Sequence, residues 1–367
     1  MSEKLNGFHV AFIIVMIELD VTVFSLPRIL AENLGTNGWI GLLLLSAIAF
    51  ANLGLIHLVH RVGRGRSPFE IAEQSIPQFL LKPAYLLLSL VWITIGSFVC
   101  KKYVLIYQMV AFPTTNANLL YALLAMLGFY LLTKGIYNIS KAMTIFFYFT
   151  VPAALFAFYF KDQWELYRFT PFLLKGGTEG FSLKNWLEVY TIFVGFEITL
   201  LLIPFAAPKS LFKGAYSGHL LTTSVYLLLI IVSYGFFSLE QLQAIMYPLL
   251  NLFSYIELPF LNRLENLIFT LFLFSNLASL VLFGWMALMA LRRVFPKARK
   301  NLLELLLIAA SLGISFYPTI LRDSEILLRV ALYVEACLAF LLPAALLALA
   351  AFQARGNTPK PEGGTPA

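Results

Sequence analysis

Polar residues cut this chain into a succession of apolar runs, each about as long as a bilayer demands of a helix. A hydrocarbon core about 30 Å thick needs about 20 apolar residues at the helical rise. Ten runs meet that requirement, over about residues 8–30, 38–59, 83–111, 117–133, 142–160, 184–206, 215–237, 261–291, 302–320 and 326–352. The third and eighth are the longest, which predicts tilting or extension past the headgroups. The longest connection, about 161–183, carries Asp162, Glu165, Arg168, Lys175 and Glu179 and predicts a surface segment between spans five and six. From Gln353 onward the residues are polar, with Pro359, Pro361, Gly363, Gly364 and Pro366. That composition predicts a single membrane domain over 1–352 and a disordered tail over 353–367.

Composition agrees with the pattern. The chain is 60% hydrophobic and 12% charged, with a mean hydropathy of +0.83. A soluble domain carries about twice that charged fraction, so lipid must be part of the solvent. The first run is expected to stay as a span rather than act as a cleavable signal. It is too long, is preceded by Lys4 alone as a basic residue, and lacks a small-residue cleavage site. With ten spans the two ends share a side, and about sixteen Lys and Arg fall on that side against about eight on the other. The densest cluster is Arg292-Arg293-Val294-Phe295-Pro296-Lys297-Ala298-Arg299-Lys300. The expectation is cytoplasmic termini, and the +7 net charge reads as topology rather than as nucleic-acid binding. Cys100 and Cys337 lie inside apolar runs and read as small buried residues. His9, His57, His60 and His219 are scattered without metal-ligand spacing. No phosphate-binding loop or nucleophile motif occurs, so no enzyme, cofactor or metal is expected.

One small pattern occurs twice. Asp20-Val21-Thr22 precedes Pro27, and Glu197-Ile198-Thr199 precedes Pro204. In each copy an acid stands two residues before a threonine and seven before a proline. A carboxylate in a bilayer is expensive and marks a site facing a cavity or a partner. One copy falls in span one and the other in span six, so ten spans divide as five plus five, over about 8–160 and 184–352. An odd number of spans per half forces the halves into opposite orientations. This is the inverted-repeat arrangement of transporters, with broken helices in corresponding positions.

Three further stretches carry a family resemblance: Phe24-Ser25-Leu26-Pro27-Arg28 with Gly35-Thr36-Asn37-Gly38-Trp39-Ile40; Gly195-Phe196-Glu197 with Pro204; and Tyr247-Pro248-Leu249-Leu250 followed by Phe260-Leu261-Asn262-Arg263-Leu264-Glu265. With length and span order, over about residues 5–352, the chain resembles the B subunits of GerA-type spore germinant receptors. These form a branch of the amino acid/polyamine/organocation transporter superfamily. The resemblance implies an all-α LeuT-like fold whose pocket lies between the broken first and sixth helices. Spans three, eight and ten would surround that pocket. It also implies sensing of a small nutrient germinant in the spore inner membrane, beside A-type and C-type receptor subunits. The alternative is a proton-coupled amino acid or polyamine transporter. One departure stands out: Glu18-Leu19-Asp20-Val21-Thr22 occupies the place where the family usually has a small, glycine-containing break. A free amino acid's carboxylate would be repelled by Asp20.

The candidate ligand-binding residues are therefore Glu18, Asp20, Val21 and Thr22 in span one, Tyr103 in span three, Gly195, Phe196, Glu197 and Thr199 in span six, and Ser275 and Ser279 in span eight. Tyr107, Asn276 and Glu335 are secondary candidates. Glu18 and Asp20 are two residues apart, about 200° around an intact helix, so both reach one cavity only if the segment unwinds. Lys101 and Lys102 lie deep in span three, where a lysine must snorkel, pair or lose its proton. Glu18, Asp20 and Glu197 are their expected charge partners.

Overall fold

The computed structural model describes residues 4–169, 174–177, 182–257, 259 and 263–356, and nearly all of its ordered backbone is helical. Seven helices among the described residues are long and apolar enough to cross a membrane: Gly38–Val62, Gln78–Ala111, Gly135–Gln163, Leu183–Phe205, Pro208–Phe236, Leu264–Val294 and Leu321–Ala354. The first span is a bent pair, Gly7–Glu18 and Val21–Leu34, turning by 52° at its break. The fourth and ninth predicted spans are the shorter helices Ala117–Thr133 and Lys300–Ser315, of 17 and 16 residues. At the helical rise these reach only about 25 Å, a little under the hydrocarbon thickness. Every predicted span is thus helical, but a count of ten full crossings does not follow from length.

Helix ends differ from the expected ones where apolarity and backbone geometry part company. The third span starts at Gln78, with Pro83 tolerated near its beginning. The fifth starts at Gly135 and tightens to a 3-10 helix over Val151–Gln163, after Pro152 removes a backbone donor. The last helix continues through Gly356, so residues 353–356 belong to it rather than to the tail. Residues 357–367 and the motif residues Phe260, Leu261 and Asn262 lie outside the described residues.

The core forms where spans three and eight pack along each other and where the first half of span one lies against span seven. The second pair needs close backbone approach. A Cβ at Gly214 would lie 2.3 Å from the Gly7 carbonyl oxygen, and one at Gly218 would lie 2.6 Å from the Ala11 carbonyl oxygen. Small residues are how membrane helices gain contact when lipid supplies no hydrophobic drive between them. This packing holds the first half of span one fixed up to its break.

Candidate functional site

The break in span one is confined to Leu19 and Asp20. Asp20 is the N-cap of the next segment: its backbone is extended and its carboxylate accepts the Thr22 N–H at 2.6 Å. Pro27 does not make the break; it sits in the first turn of Leu26–Leu34, where its missing donor is harmless. Unwound backbone inside a membrane must be re-satisfied by neighbours, and three side chains do so here. Ser275 donates to the Leu19 carbonyl, the Val21 N–H donates to Asn276 Oδ1 at 3.3 Å, and Tyr226 donates to the Glu18 carbonyl at 2.6 Å.

Span six loosens in the matching place. A 3-10 turn over Thr191–Phe193 leads into turns at 194–197, and helix resumes at Ile198. Gly195 has φ +120, and a Cβ there would lie 2.9 Å from Ile17 Cγ1. Both facts exclude a side chain, because the two breaks touch. Glu197 bends back to accept the Gly195 N–H at 2.9 Å. Tyr226 joins the breaks, since its hydroxyl also reaches the Ile192 carbonyl at 3.5 Å.

The two acids of span one part company. Glu18 is fully buried, with Oε1 2.8 Å from His219 Nδ1. The other ring nitrogen of His219 lies 3.1 Å from both the carbonyl and the hydroxyl of Ser46, and Ser46 Oγ lies 2.7 Å from Thr223 Oγ1. Asp20 stays local to its cap. Glu197 faces Glu335 of span ten, which is held by Trp92 Nε1 at 2.8 Å, while Glu197 Oε1 and Glu335 Oε2 are buried without a hydrogen-bond partner. An ionised carboxylate accepts only. Two carboxyl groups therefore bond to each other only while one carries a proton.

Lys101 and Lys102 do not neutralise these three acids directly. Lys101 donates to Asn118 Oδ1, and Lys102 Nζ lies 3.6 Å from Glu325 Oε1 in span ten, within electrostatic range of Asp20. The reason is geometric: Glu18 pairs with His219 of span seven and Glu197 faces Glu335, whereas span three presents Lys101 to Asn118 of span four and Lys102 to Glu325 of span ten.

Two cavities flank the breaks. One, about 50 Å3, is lined by Thr22, Ser25, Arg28, Lys102, Thr191, Glu325 and Arg329, with Glu32 and Glu188. Three ion pairs surround it: Lys102–Glu325, Arg329–Glu188 at 3.2 Å and Arg28–Glu32 at 3.8 Å. The other, about 170 Å3, is apolar and runs between spans three, six and ten with the short helix Pro68–Ser75, Glu197 lying at its edge.

Of the expected ligand residues, Thr22 lines the charged chamber and its buried hydroxyl has no hydrogen-bond partner. Asp20, Gly195 and Glu197 stand in the breaks, and Val21 opens the 3-10 helix after the first of them. Tyr103 donates to the Phe269 carbonyl at 3.1 Å and stacks between Tyr107 and Phe269. Ser279 bonds within its own helix, Phe196 packs near His219, and Thr199 is buried beside the span-six break. His219, Tyr226, Glu188, Glu325 and Arg329 were not foreseen. Four of them are ionisable groups within or at the edge of apolar spans, which is itself the signal that would have found them. Tyr226 carried no such mark.

Comparison with known proteins agrees with this architecture. In structure the chain resembles Mhp1, a nucleobase-cation-symport-1 family transporter seen in a closed conformation with bromovinylhydantoin bound. The TM-score is 0.61 at 12% identity, covering 96% of this chain and 92% of that one. The shared fold is LeuT-like. In sequence it is 23% identical to spore germination protein A2 of Bacillus subtilis (strain 168), over 81% of this chain and 82% of that protein. It is 25% identical to spore germination protein GerQB of Bacillus cereus, over 77% and 78%. It is also 23% identical to spore germination protein B2 of Bacillus subtilis, over 88% and 89%. The family model described as spore germination protein matches residues 4–323, and the chain belongs to that family of spore permeases.

Proposed function

We propose that this protein is the membrane subunit of a spore nutrient germinant receptor. It binds a small amino acid-like germinant at the broken helices and passes the resulting conformational change to A-type and C-type subunits, with both termini cytoplasmic. The observation that carries the reading is the charged chamber between spans one, three, six and ten, which offers both signs of charge and is lined by Thr22, whose N–H Asp20 accepts. A zwitterion suits such a lining: its carboxylate meets Lys102 or Arg329, and its ammonium turns toward Asp20 or Glu325. This pose answers the repulsion that Asp20 exerts on a carboxylate. At about 50 Å3 the chamber is smaller than the ~150 Å3 cavity that admits benzene, so binding requires the ion pairs to part. Entry and signal are then the same motion, because a ligand acts by favouring the state in which its site is open.

A second reading, proton-coupled transport of an amino acid or polyamine, is favoured by two buried carboxyl groups, Glu197 and Glu335, each with one oxygen that has no hydrogen-bond partner and could take a proton. The experiment that separates them joins spore germination with uptake by proteoliposomes. Germinant-dependent germination that is lost in a deletion strain and restored by this gene, without uptake, supports the receptor. Uptake of the same amino acid driven by a proton gradient supports the transporter.

A further inference from the structure

A second polar cleft lies at the ends of spans three and eight, far along the chain from both breaks. It encloses about 570 Å3 and is lined by Lys82, Arg292, Arg293, Glu73, Gln78 and Phe295, among others. Two of its cations are fixed in place. Arg292 reaches the fully buried Glu304 at 3.4 Å, and Arg293 reaches Glu73 at 3.2 Å while lying 5.0 Å over the Phe69 ring. Each guanidinium carries five N–H donors, so one ion pair leaves donors for another anion. Lys82 is exposed and not fixed in this way.

The surroundings specify what kind of anion. Exposed Phe79 and Leu80 open the first turn of span three beside Gln78 and Lys82, and Leu302 and Leu306 are exposed on span nine next to lining residue Leu303. A polar, cationic cleft thus runs directly into lipid-facing apolar surface. A soluble anion has no use for that continuity, whereas a phospholipid needs both parts. Basic pockets between spans at the charged interface are suited to anionic headgroups. We propose that this cleft holds the headgroup of an anionic phospholipid, with its acyl chains along spans three and nine.

The test uses the full chain purified in detergent and native mass spectrometry with three probes: dioctanoyl phosphatidylglycerol, dioctanoyl phosphatidylcholine and glycerol 3-phosphate. Phosphatidylglycerol is expected to remain bound, phosphatidylcholine to be lost, and glycerol phosphate not to compete at equal concentration. Lys82→Gln should weaken phosphatidylglycerol by about fivefold, the effect of one basic residue at a membrane surface. Lys209→Gln, an exposed lysine outside the cleft, should leave it unchanged. Equal retention of both lipids, or an unchanged affinity in Lys82→Gln, overturns the site. Glycerol phosphate binding as tightly as the lipid overturns the membrane source and leaves a site for free anions.

Discussion

Glu18 and His219 meet at 2.8 Å with both side chains fully buried, and this pair ties the end of span one's first helix to span seven. Removing one side of a buried hydrogen-bonded pair strands the other without water and costs about 1–3 kcal/mol, whereas replacing both by apolar groups can be nearly neutral. His219→Leu and Glu18→Leu should each lower thermal stability strongly in detergent. The double variant should recover much of the loss. Additive losses in that cycle would mean that the two groups do not depend on each other.

The carboxyl pair of spans six and ten makes a second, sharper comparison. If Glu197 and Glu335 share a proton, Glu335→Gln keeps an oxygen for Trp92 Nε1 and supplies an amide donor toward Glu197 in its place. It should change the melting temperature little. Glu335→Ala leaves the Trp92 N–H and Glu197 without their partner, at a cost of about 1–3 kcal/mol. Equal destabilisation by both variants would show that Glu335 does not bond to Glu197 through a proton.

The ion pair Lys102–Glu325 should set germinant sensitivity. Lys102→Met is expected to raise the half-maximal germinant concentration by tenfold or more while the protein stays in the membrane, measured by immunoblot beside the dose-response curve. The exchange Lys102→Glu with Glu325→Lys should recover part of the response. A normal curve from Lys102→Met would take the chamber out of ligand binding.

Asp20→Asn isolates charge from capping, because asparagine caps a helix as well as aspartate does. Stability should be preserved, and the germinant preference should relax toward ligands bearing only a carboxylate. A germinant panel with an unchanged order of preference would leave Asp20 as a cap and nothing more.

Gly195→Ala tests the contact between the breaks. The added methyl meets Ile17 and the φ of +120 strains any side chain, so a loss of about 1–3 kcal/mol is expected from the backbone alone. Ile17→Ala in the same chain should relieve the steric part only, leaving the melting temperature between wild type and the single variant. Full recovery would mean that the backbone there is unstrained.

What the chain determined by itself was the set of elements and the places where they fail. Apolar runs of bilayer length are visible in one dimension, and so is the double occurrence of an acid two residues before a threonine. Both breaks therefore fell where Asp20 and Glu197 stand. Partnership was decided only in three dimensions. Glu18 finds His219 across 201 residues and Lys102 finds Glu325 across 223, separations that no helical period encodes. The three acids looked like one cluster needing two lysines. Unwinding at Leu19 instead turned Glu18 and Asp20 to different neighbours, and span ten brought its own glutamates to Glu197 and to Lys102. In a medium without water each buried charge takes whatever partner packing brings within reach, and packing is a property of the whole bundle.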